Sequence, residues 1–136
     1  MGAGNSGLYN NTNRALKPEH LIDELRESGV KFNEENLVMI TKTKKNELVW
    51  LEKGNEISGL KHIIYNHGKQ FNSKGINDEN ISNVLKLAIE SGKIVGKQGK
   101  MHKKPRIIYE VNYNGKNIKV AISISDNGYI VGANIR

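Results

Sequence analysis

Two of the four histidines in this sequence lie close enough together to act as an acid and a base. His62 and His67 both belong to the stretch GNEISGLKHIIYNHGKQF, Gly54 to Phe71. An unperturbed imidazole has a pKa of about 6.5, so near neutral pH one ring can accept a proton while another donates one. Cleavage of a phosphodiester next to a 2′-hydroxyl needs such a pair, together with a cation that stabilises charge on the phosphate oxygens.

The spacing around these histidines predicts a helix with one buried face. Apolar side chains and one histidine recur at steps of three and four residues, at Ile57, Leu60, Ile64, His67 and Phe71. His67 is therefore either a catalytic residue or a core histidine bonded to backbone. Five residues correspond to about 140° around a helix. Both rings can serve one site only if that site spans a helix edge or the helix breaks near Gly68.

The remaining motifs give no indication of a metal or cofactor. The chain has no cysteine, a zinc-binding histidine pair favours a spacing of four, and no third ligand is evident. GNEISG is not a Walker loop. We expect metal-independent chemistry, with a metal-dependent nuclease as the alternative that chelation tests.

The first ninety residues predict a linker followed by helices and a strand pair. Residues 1–15 are rich in Gly, Asn and Ser and predict a flexible linker or cut end, so the single domain is expected at 16–136. No apolar run reaches the length of a membrane span, and the start lacks a signal pattern. We expect a soluble domain, with helices at 18–28 and 78–91, strands at 37–41 and 47–51, and Trp50 as a core anchor.

The last third changes to the two-residue period of strands. Strands are predicted at 106–113, 117–125 and 129–133, joined by Asn114-Gly115 and Asn127-Gly128. Asn-Gly between such runs favours type I′ hairpin turns. The sequence therefore predicts a three-stranded antiparallel meander and an α+β fold, with an antiparallel sheet and the N-terminal helices packed on one face.

A two-residue first turn also fixes which side chains share a face. It places Tyr109 opposite Val120, and it gives an apolar face of Ile107, Tyr109, Val111, Ile118, Val120, Ile122 and Ile124. The polar face carries Arg106, Glu110, Lys119, Ser123 and Ser125, with Gly132 beside Ser123. Arg106 is expected to stabilise a phosphate. Ser123 and Ser125 either support it or simply face solvent.

The net charge of +7 lies in the last third of the chain. Residues 91–136 hold nine basic and two acidic residues, and residues 91–106 hold six basic residues and no carboxylate. Such a field favours a polyanion such as nucleic acid, an anionic membrane surface or an acidic protein, although a merely solvated basic loop is the alternative. The expected RNA contacts are Lys61, Lys97, Lys100, Lys103, Lys104 and Lys119.

Several segments resemble a family of bacterial toxins. They are VMITKTKKNELVWLEKGN, GLKHIIYNH, IYEVNYNGK, VAISIS and NGYIVGAN, which span about Lys31 to Asn134. They resemble the C-terminal toxin domains of polymorphic and contact-dependent growth inhibition toxins. Within those they are similar to ribonucleases of the barnase, EndoU, colicin and RelE superfamily, the BECR fold.

The resemblance implies metal-independent cleavage of RNA on a sheet face, a cognate immunity protein, and delivery as the tail of a larger secreted protein that acts in the target-cell cytoplasm. The basic segment makes an acidic immunity protein the electrostatic expectation. Carried over by position, it implies His62 and His67 as catalytic, with Arg106, Ser123 and Ser125 in support. Neither the EndoU pattern of two histidines and a lysine nor the barnase pattern of a glutamate and a late histidine is present.

The sequence thus gives two hypotheses of different class. The first is a ribonuclease toxin domain, expected to cleave tRNA and to exist as a monomer or as a heterodimer with its immunity protein. The second is a non-catalytic nucleic-acid- or protein-binding module in which the basic segment binds and the histidines are structural.

Overall fold

The structure is a computed structural model that describes residues 16–99 and 105–136. The described residues form an α+β fold with three helices, which are α1 (Glu19–Ser28), α2 (Leu60–Ser73) and α3 (Ile81–Ser91). The strands are β1 (Leu37–Lys42), β2 (Leu48–Glu52), β3 (Lys93–Gln98), β4 (Arg106–Tyr113), β5 (Lys116–Ile124) and β6 (Ile130–Ile135). Short 3-10 turns precede β1 and α3, at Glu34–Asn36 and Asp78–Asn80. The predicted linker, residues 1–15, lies outside the described residues.

The strands form two antiparallel sheets. One is the β1–β2 hairpin, and the other has the order β3-β4-β5-β6. The two sheets meet where the Trp50 amide donates to the Gly128 carbonyl at 2.9 Å, in a parallel bridge between Trp50 and Tyr129. The predicted three-stranded meander is therefore incomplete, because β3 adds a fourth strand at the edge. The basic residues in Lys93–Gln98 led to the prediction of a loop where the structure has this strand.

Two apolar clusters lie on opposite sides of the β1–β2 hairpin. The larger cluster packs α2 and α3 against the predicted apolar face of the large sheet, with Phe71, Leu85, Tyr109 and Val120 among its members. The smaller cluster joins α1 to the hairpin through Leu21, Ile22, Leu25, Leu37, Ile40 and Trp50. The prediction that helices cover one sheet face is confirmed for α2 and α3, whereas α1 packs on the small sheet. Trp50 is a core anchor, as predicted.

The predicted register of the β4–β5 hairpin is confirmed. Tyr109 pairs with Val120 and Glu110 with Lys119. Asn114 and Gly115 have φ values of 52° and 81°, as a type I′ turn requires.

The second hairpin differs in its turn, although Ser123 does pair with Gly132 as predicted. Ser125 and Tyr129 close a three-residue loop, with the Ser125 amide donating to the Tyr129 carbonyl at 2.8 Å. The register then shifts between Ser123 and Ile124. Val131 is the extra residue of a β-bulge at this shift. The bulge offsets the longer turn, so Gly132 keeps its predicted pairing with Ser123.

The helix predicted from Gly54 begins six residues later, at Leu60. The preceding stretch forms a tight loop, and Ile57 is 80% exposed within it. The predicted stripe is wrong at that position, since Ile63 rather than Ile57 joins Leu60 and Phe71 in the core. The helix does not break near Gly68, so the two histidines lie on one continuous helix. None of the described helices is long and apolar enough to cross a membrane.

Candidate active site

α2 lies along the open edge of β6, and the place where the helix and the strand meet is called the cleft below. The Gly59 amide, just before the helix, donates to the Val131 carbonyl at 3.0 Å. One helix length later, the Ile135 amide donates to Gln70 Oε1 at 3.2 Å. These two bonds hold the helix beside the strand, so side chains on one edge of α2 meet side chains from the polar face of the sheet.

Gly132 forms the floor where the two walls meet. A Cβ atom built at Gly132 would lie 2.8 Å from Arg106 Nη2 and 3.4 Å from His62 Cδ2. The guanidinium and the imidazole therefore both lie directly over Gly132, in space that is open because glycine has no side chain. On the neighbouring strand the Ser123 hydroxyl lies 3.3 Å from the Gly132 carbonyl, to which it donates. The sheet arithmetic that put Arg106, Ser123 and Gly132 together is borne out.

Arg106 is held by amides rather than by carboxylates. Its Nη1 donates to Asn134 Oδ1 at 2.7 Å, and the same oxygen accepts from Gln98 Nε2 at 3.1 Å. Asn134 Nδ2 in turn donates to Gln98 Oε1 at 3.2 Å and to the Ile135 carbonyl at 3.0 Å. Asn134 is buried, so its hydrogen bonds fix the guanidinium without neutralising it.

Burial lowers the pKa of Arg106 below its ordinary value. Among the described residues, the ion pairs involve Arg26, Lys42 and Lys86, and none involves Arg106. A half-buried guanidinium with no carboxylate beside it retains a strong field that favours an anion.

His62 has a partner for Nδ1 in either neutral form. Nδ1 lies 2.8 Å from the Glu56 carbonyl oxygen and 2.9 Å from Asn66 Nδ2. A protonated Nδ1 donates to Glu56, which leaves Nε2 as a proton acceptor; a bare Nδ1 accepts from Asn66, which leaves Nε2–H as a donor. Both arrangements keep the ring oriented, so His62 is suited to proton transfer in either direction.

The Glu56 carbonyl is presented by the tight loop between β2 and α2. Asn55 Oδ1 accepts from the Ile57 and Ser58 amides, and the Asn55 amide donates to the Ser58 carbonyl at 2.9 Å. A Cβ at Gly54 would lie 2.0 Å from the Ser58 oxygen, and one at Gly59 would lie 2.9 Å from the Glu52 oxygen. Both glycines have positive φ, at 69° and 87°. This geometry therefore requires glycine at both ends of the loop.

His67 provides the second imidazole, five residues after His62 on the same helix. Its pKa is lowered by burial first, then by the positive charge of Arg106 and by His62, while the Gln70 side chain acts in the raising direction. The ring therefore favours the neutral form at pH 7. Its Nδ1 atom is buried and has no hydrogen-bond partner among the described residues.

The two histidines and Arg106 thus belong to one electrostatic cluster at a helix edge. Because the helix is continuous through Gly68, the two rings can serve one site only across a helix edge. Among the described residues, His67 has a side-chain hydrogen bond with Gln70, and its Nδ1 atom has no partner. The contribution of Arg106 and His62 to its pKa indicates that the three side chains interact.

The other predicted residues lie at varying places around this cluster. The Ser125 hydroxyl belongs to the β5–β6 turn, where it donates to Asn127 Oδ1 and accepts from the Tyr129 amide. Lys119 is exposed, and at four residues from Ser123 it lies about 13 Å along β5. Lys97 is exposed on β3 and pairs with Ile107, so strand alternation places it on the face opposite Gln98.

Lys61 is exposed near the start of α2, one residue before His62. Lys100, Lys103 and Lys104 lie outside the described residues. The part of the basic segment before them is strand β3 rather than a loop.

The residues that sequence analysis missed are amides. Gln70 bonds to the edge of β6, and Asn134 bonds to both Gln98 and Arg106. None of these three amides belongs to a recognisable motif. Asn134 could have been identified from the sequence, because a polar residue in the mostly apolar segment YIVGANI needs a hydrogen-bond partner when it is buried. Gln98 could not, because its strand was not predicted.

Within residues 16–99 and 105–136, no three His, Cys, Asp or Glu side chains are grouped to hold a metal ion. No protein-family model matches the chain, and no curated protein matches its sequence. The chemistry this cluster offers is proton transfer by two imidazoles beside a cation that can bind a phosphate.

Proposed function

We propose that the protein is a metal-independent ribonuclease that cleaves RNA by transesterification in the cleft between α2 and β6. The observation that carries the proposal is that Arg106 and His62 meet over Gly132, with Arg106 free of any ion pair among the described residues. Two imidazoles and an anion-binding guanidinium are the groups that the reaction requires.

In this mechanism a phosphate oxygen binds the Arg106 guanidinium, whose orientation Asn134 fixes. His67 favours the neutral form and removes the 2′-hydroxyl proton, and the 2′-oxygen attacks phosphorus. His62 donates its proton to the leaving 5′-oxygen, and the products are a 2′,3′-cyclic phosphate and a free 5′-hydroxyl. Arg106 stabilises the charge that builds on the phosphate oxygens, and the Ser123 hydroxyl lies beside it on the cleft floor.

The proposal extends to the substrate, fold family and partners. We propose a BECR-type toxin domain that cleaves tRNA, with Lys61 at the cleft rim and the basic segment 93–104 contacting the RNA backbone. An acidic immunity protein that covers this basic surface is the electrostatically complementary partner. Delivery as the C-terminal part of a larger secreted toxin, with action in the target-cell cytoplasm, belongs to the same proposal.

The test is cleavage of total tRNA in EDTA by the purified wild-type protein and by His62→Ala and His67→Ala. Each variant is expected to lose at least about 100-fold in rate, the usual contribution of a general acid or base. The matched control is His20→Ala, which changes an exposed histidine on α1 and is expected to keep full activity. Full activity in both cleft variants would contradict the histidine assignment.

The same assay separates the other functions. Gel retardation of tRNA without products in any buffer indicates the non-catalytic binding module, which the exposed Lys93 and Lys97 of β3 would serve. Cleavage that appears only when a divalent metal replaces EDTA indicates a metal-dependent nuclease. Either outcome overturns the proposed mechanism.

A further inference from the structure

We propose that Tyr65 is a stacking platform for an unpaired base of single-stranded nucleic acid whose phosphate lies at Arg106. The placement of that phosphate rests on the proposed function. The base-binding position itself rests on the exposure of Tyr65 and on its location along α2.

Tyr65 is exposed far beyond what is usual for a tyrosine of a folded domain. It is 79% exposed, and only Ile57, Ile94 and Val95 join it as large exposed hydrophobic side chains among the described residues. The ring contacts in the described structure involve Phe32, Trp50 and Tyr129 instead. Tyr65 therefore presents a free ring face to solvent, which favours a partner.

The exposed ring lies one helical turn from His62. Residues three apart on a helix are neighbours, with Cβ atoms about 5–6 Å apart. The His62 ring reaches the space over Gly132, where the Arg106 guanidinium also lies. His62 thus neighbours both Tyr65 and Arg106, and on this basis we place the base of a nucleotide whose phosphate binds that guanidinium on Tyr65.

A second exposed apolar side chain lies in the same neighbourhood. Ile57 follows Glu56, whose carbonyl oxygen contacts the His62 ring. Apolar groups next to a cationic cleft are the combination that single-strand binding sites use, because bases stack while the backbone meets positive charge.

The nature of the cleft selects the occupant. Arg106 forms no ion pair with a described carboxylate, which favours a polyanion over an apolar peptide. Bases within a duplex are already stacked on each other and have no free face for Tyr65. The chemistry therefore points to a single strand, or to the unpaired loop of a folded RNA.

The experiment measures binding rather than cleavage. The probe is a fluorescein-labelled single-stranded 12-nucleotide DNA, which lacks the 2′-hydroxyl and is not a substrate for transesterification. Binding is followed by fluorescence anisotropy for the wild type, Tyr65→Phe and Tyr65→Leu. Ile94→Ala serves as the control, because it removes an exposed hydrophobic side chain from β3 instead.

Tyr65→Leu is expected to weaken binding about tenfold, in line with the loss of one base–aromatic stack. Tyr65→Phe keeps the ring and is expected to bind within about twofold of the wild type, as is the control. A strand of the same length without bases is expected to bind all four proteins alike. A second, duplex probe is expected to show no dependence on Tyr65.

Wild-type affinity in Tyr65→Leu would overturn the proposal. An equal loss in Tyr65→Phe would also overturn it, because a hydroxyl contact rather than stacking would then be responsible. The result is independent of catalysis. A protein that never cleaves tRNA but shows the Leu and Phe pattern supports the base platform and contradicts only the ribonuclease proposal.

Discussion

The outer surface of α1 and the cleft beside α2 are each organised around one arginine, with opposite surroundings. Arg26 donates from Nε to Glu34 at 2.8 Å, pairs with the same carboxylate through Nη2, and also contacts Asp23 and Glu19. Its hydrogen bond to Glu34 is the main cause that raises its pKa. Its charge is satisfied locally, and its role is to tie α1 to the turn before β1.

Arg106 is half-buried, and among the described residues it donates to a neutral amide oxygen, that of Asn134. Burial acts on its pKa in the opposite direction, downwards. The contrast teaches that the surroundings of a basic residue distinguish structural from proposed binding roles. Near Arg26 the counter-charges belong to the protein, whereas near Arg106 the phosphate of the proposed substrate would supply one.

The largest effect on cleavage is expected from neutralising Arg106, with the same substitution at Arg26 as the comparison. Arg106→Gln is expected to reduce kcat/KM for tRNA cleavage by about 100-fold or more, the usual loss when a group that stabilises transition-state charge is removed. Arg26→Gln removes a better-bonded cation and is expected to leave cleavage unchanged. Initial rates in EDTA at equal enzyme concentration give the comparison. Similar losses in both variants would mean that overall charge, rather than the cleft, governs activity.

A smaller effect is expected when the floor beneath Arg106 is filled. In Gly132→Ala the new methyl group would lie 2.8 Å from Arg106 Nη2, so the guanidinium must shift, and we expect about a tenfold loss of kcat/KM. Gly96→Ala is the matched change on β3, where the methyl group meets only Ile108 Cδ1, at 3.6 Å. That control should keep full activity. Thermal melts show whether both variants remain folded, and an active Gly132→Ala would contradict the placement of Arg106 over this glycine.

The smallest effect concerns the protonation of His67. Because the charge of Arg106 helps to lower the pKa of His67, Arg106→Gln is expected to raise that pKa toward its ordinary value of 6.5. The same variant at Arg26 should not change it. NMR titration of the His67 ring signals measures both values directly, and an unchanged or lower pKa in Arg106→Gln would break the link between the two side chains.

The sign of the pH dependence follows from the same shift. A histidine whose pKa is lower in the folded state binds protons more readily when unfolded, so its protonation destabilises the fold as the pH falls below about 6.5. Above that pH His67 is neutral in both states and contributes no pH dependence to stability.

The polar row of the sheet was predictable because its geometry is local. Asn114-Gly115 determines the β4–β5 register, which puts Arg106 close to Ser123, whereas the pairing of Ser123 with Gly132 comes from the second hairpin and its bulge. The long amphipathic segments α2 and α3 were predictable for a similar reason, since their apolar period is sustained over several turns.

The rest depended on contacts that no local pattern encodes. β3 was missed because half-exposed edge strands need little apolar alternation, and Gln98 was missed with it. The start of α2 was misplaced because Ile57 continues the apolar period while the backbone around it turns at Gly54 and Gly59. That the histidines meet Arg106 depends on α2 docking along β6, which is a tertiary property.

The loop before α2 also determines which of its positions tolerate substitution. It offers His62 a main-chain oxygen, which any residue at position 56 can provide, so the side chain of Glu56 is not needed for that contact. The two glycines that shape the loop touch neither imidazole in the described contacts, yet a single methyl group on either would collide with backbone. In a comparison of related sequences, position 56 should therefore vary freely, while 54 and 59 should remain glycine.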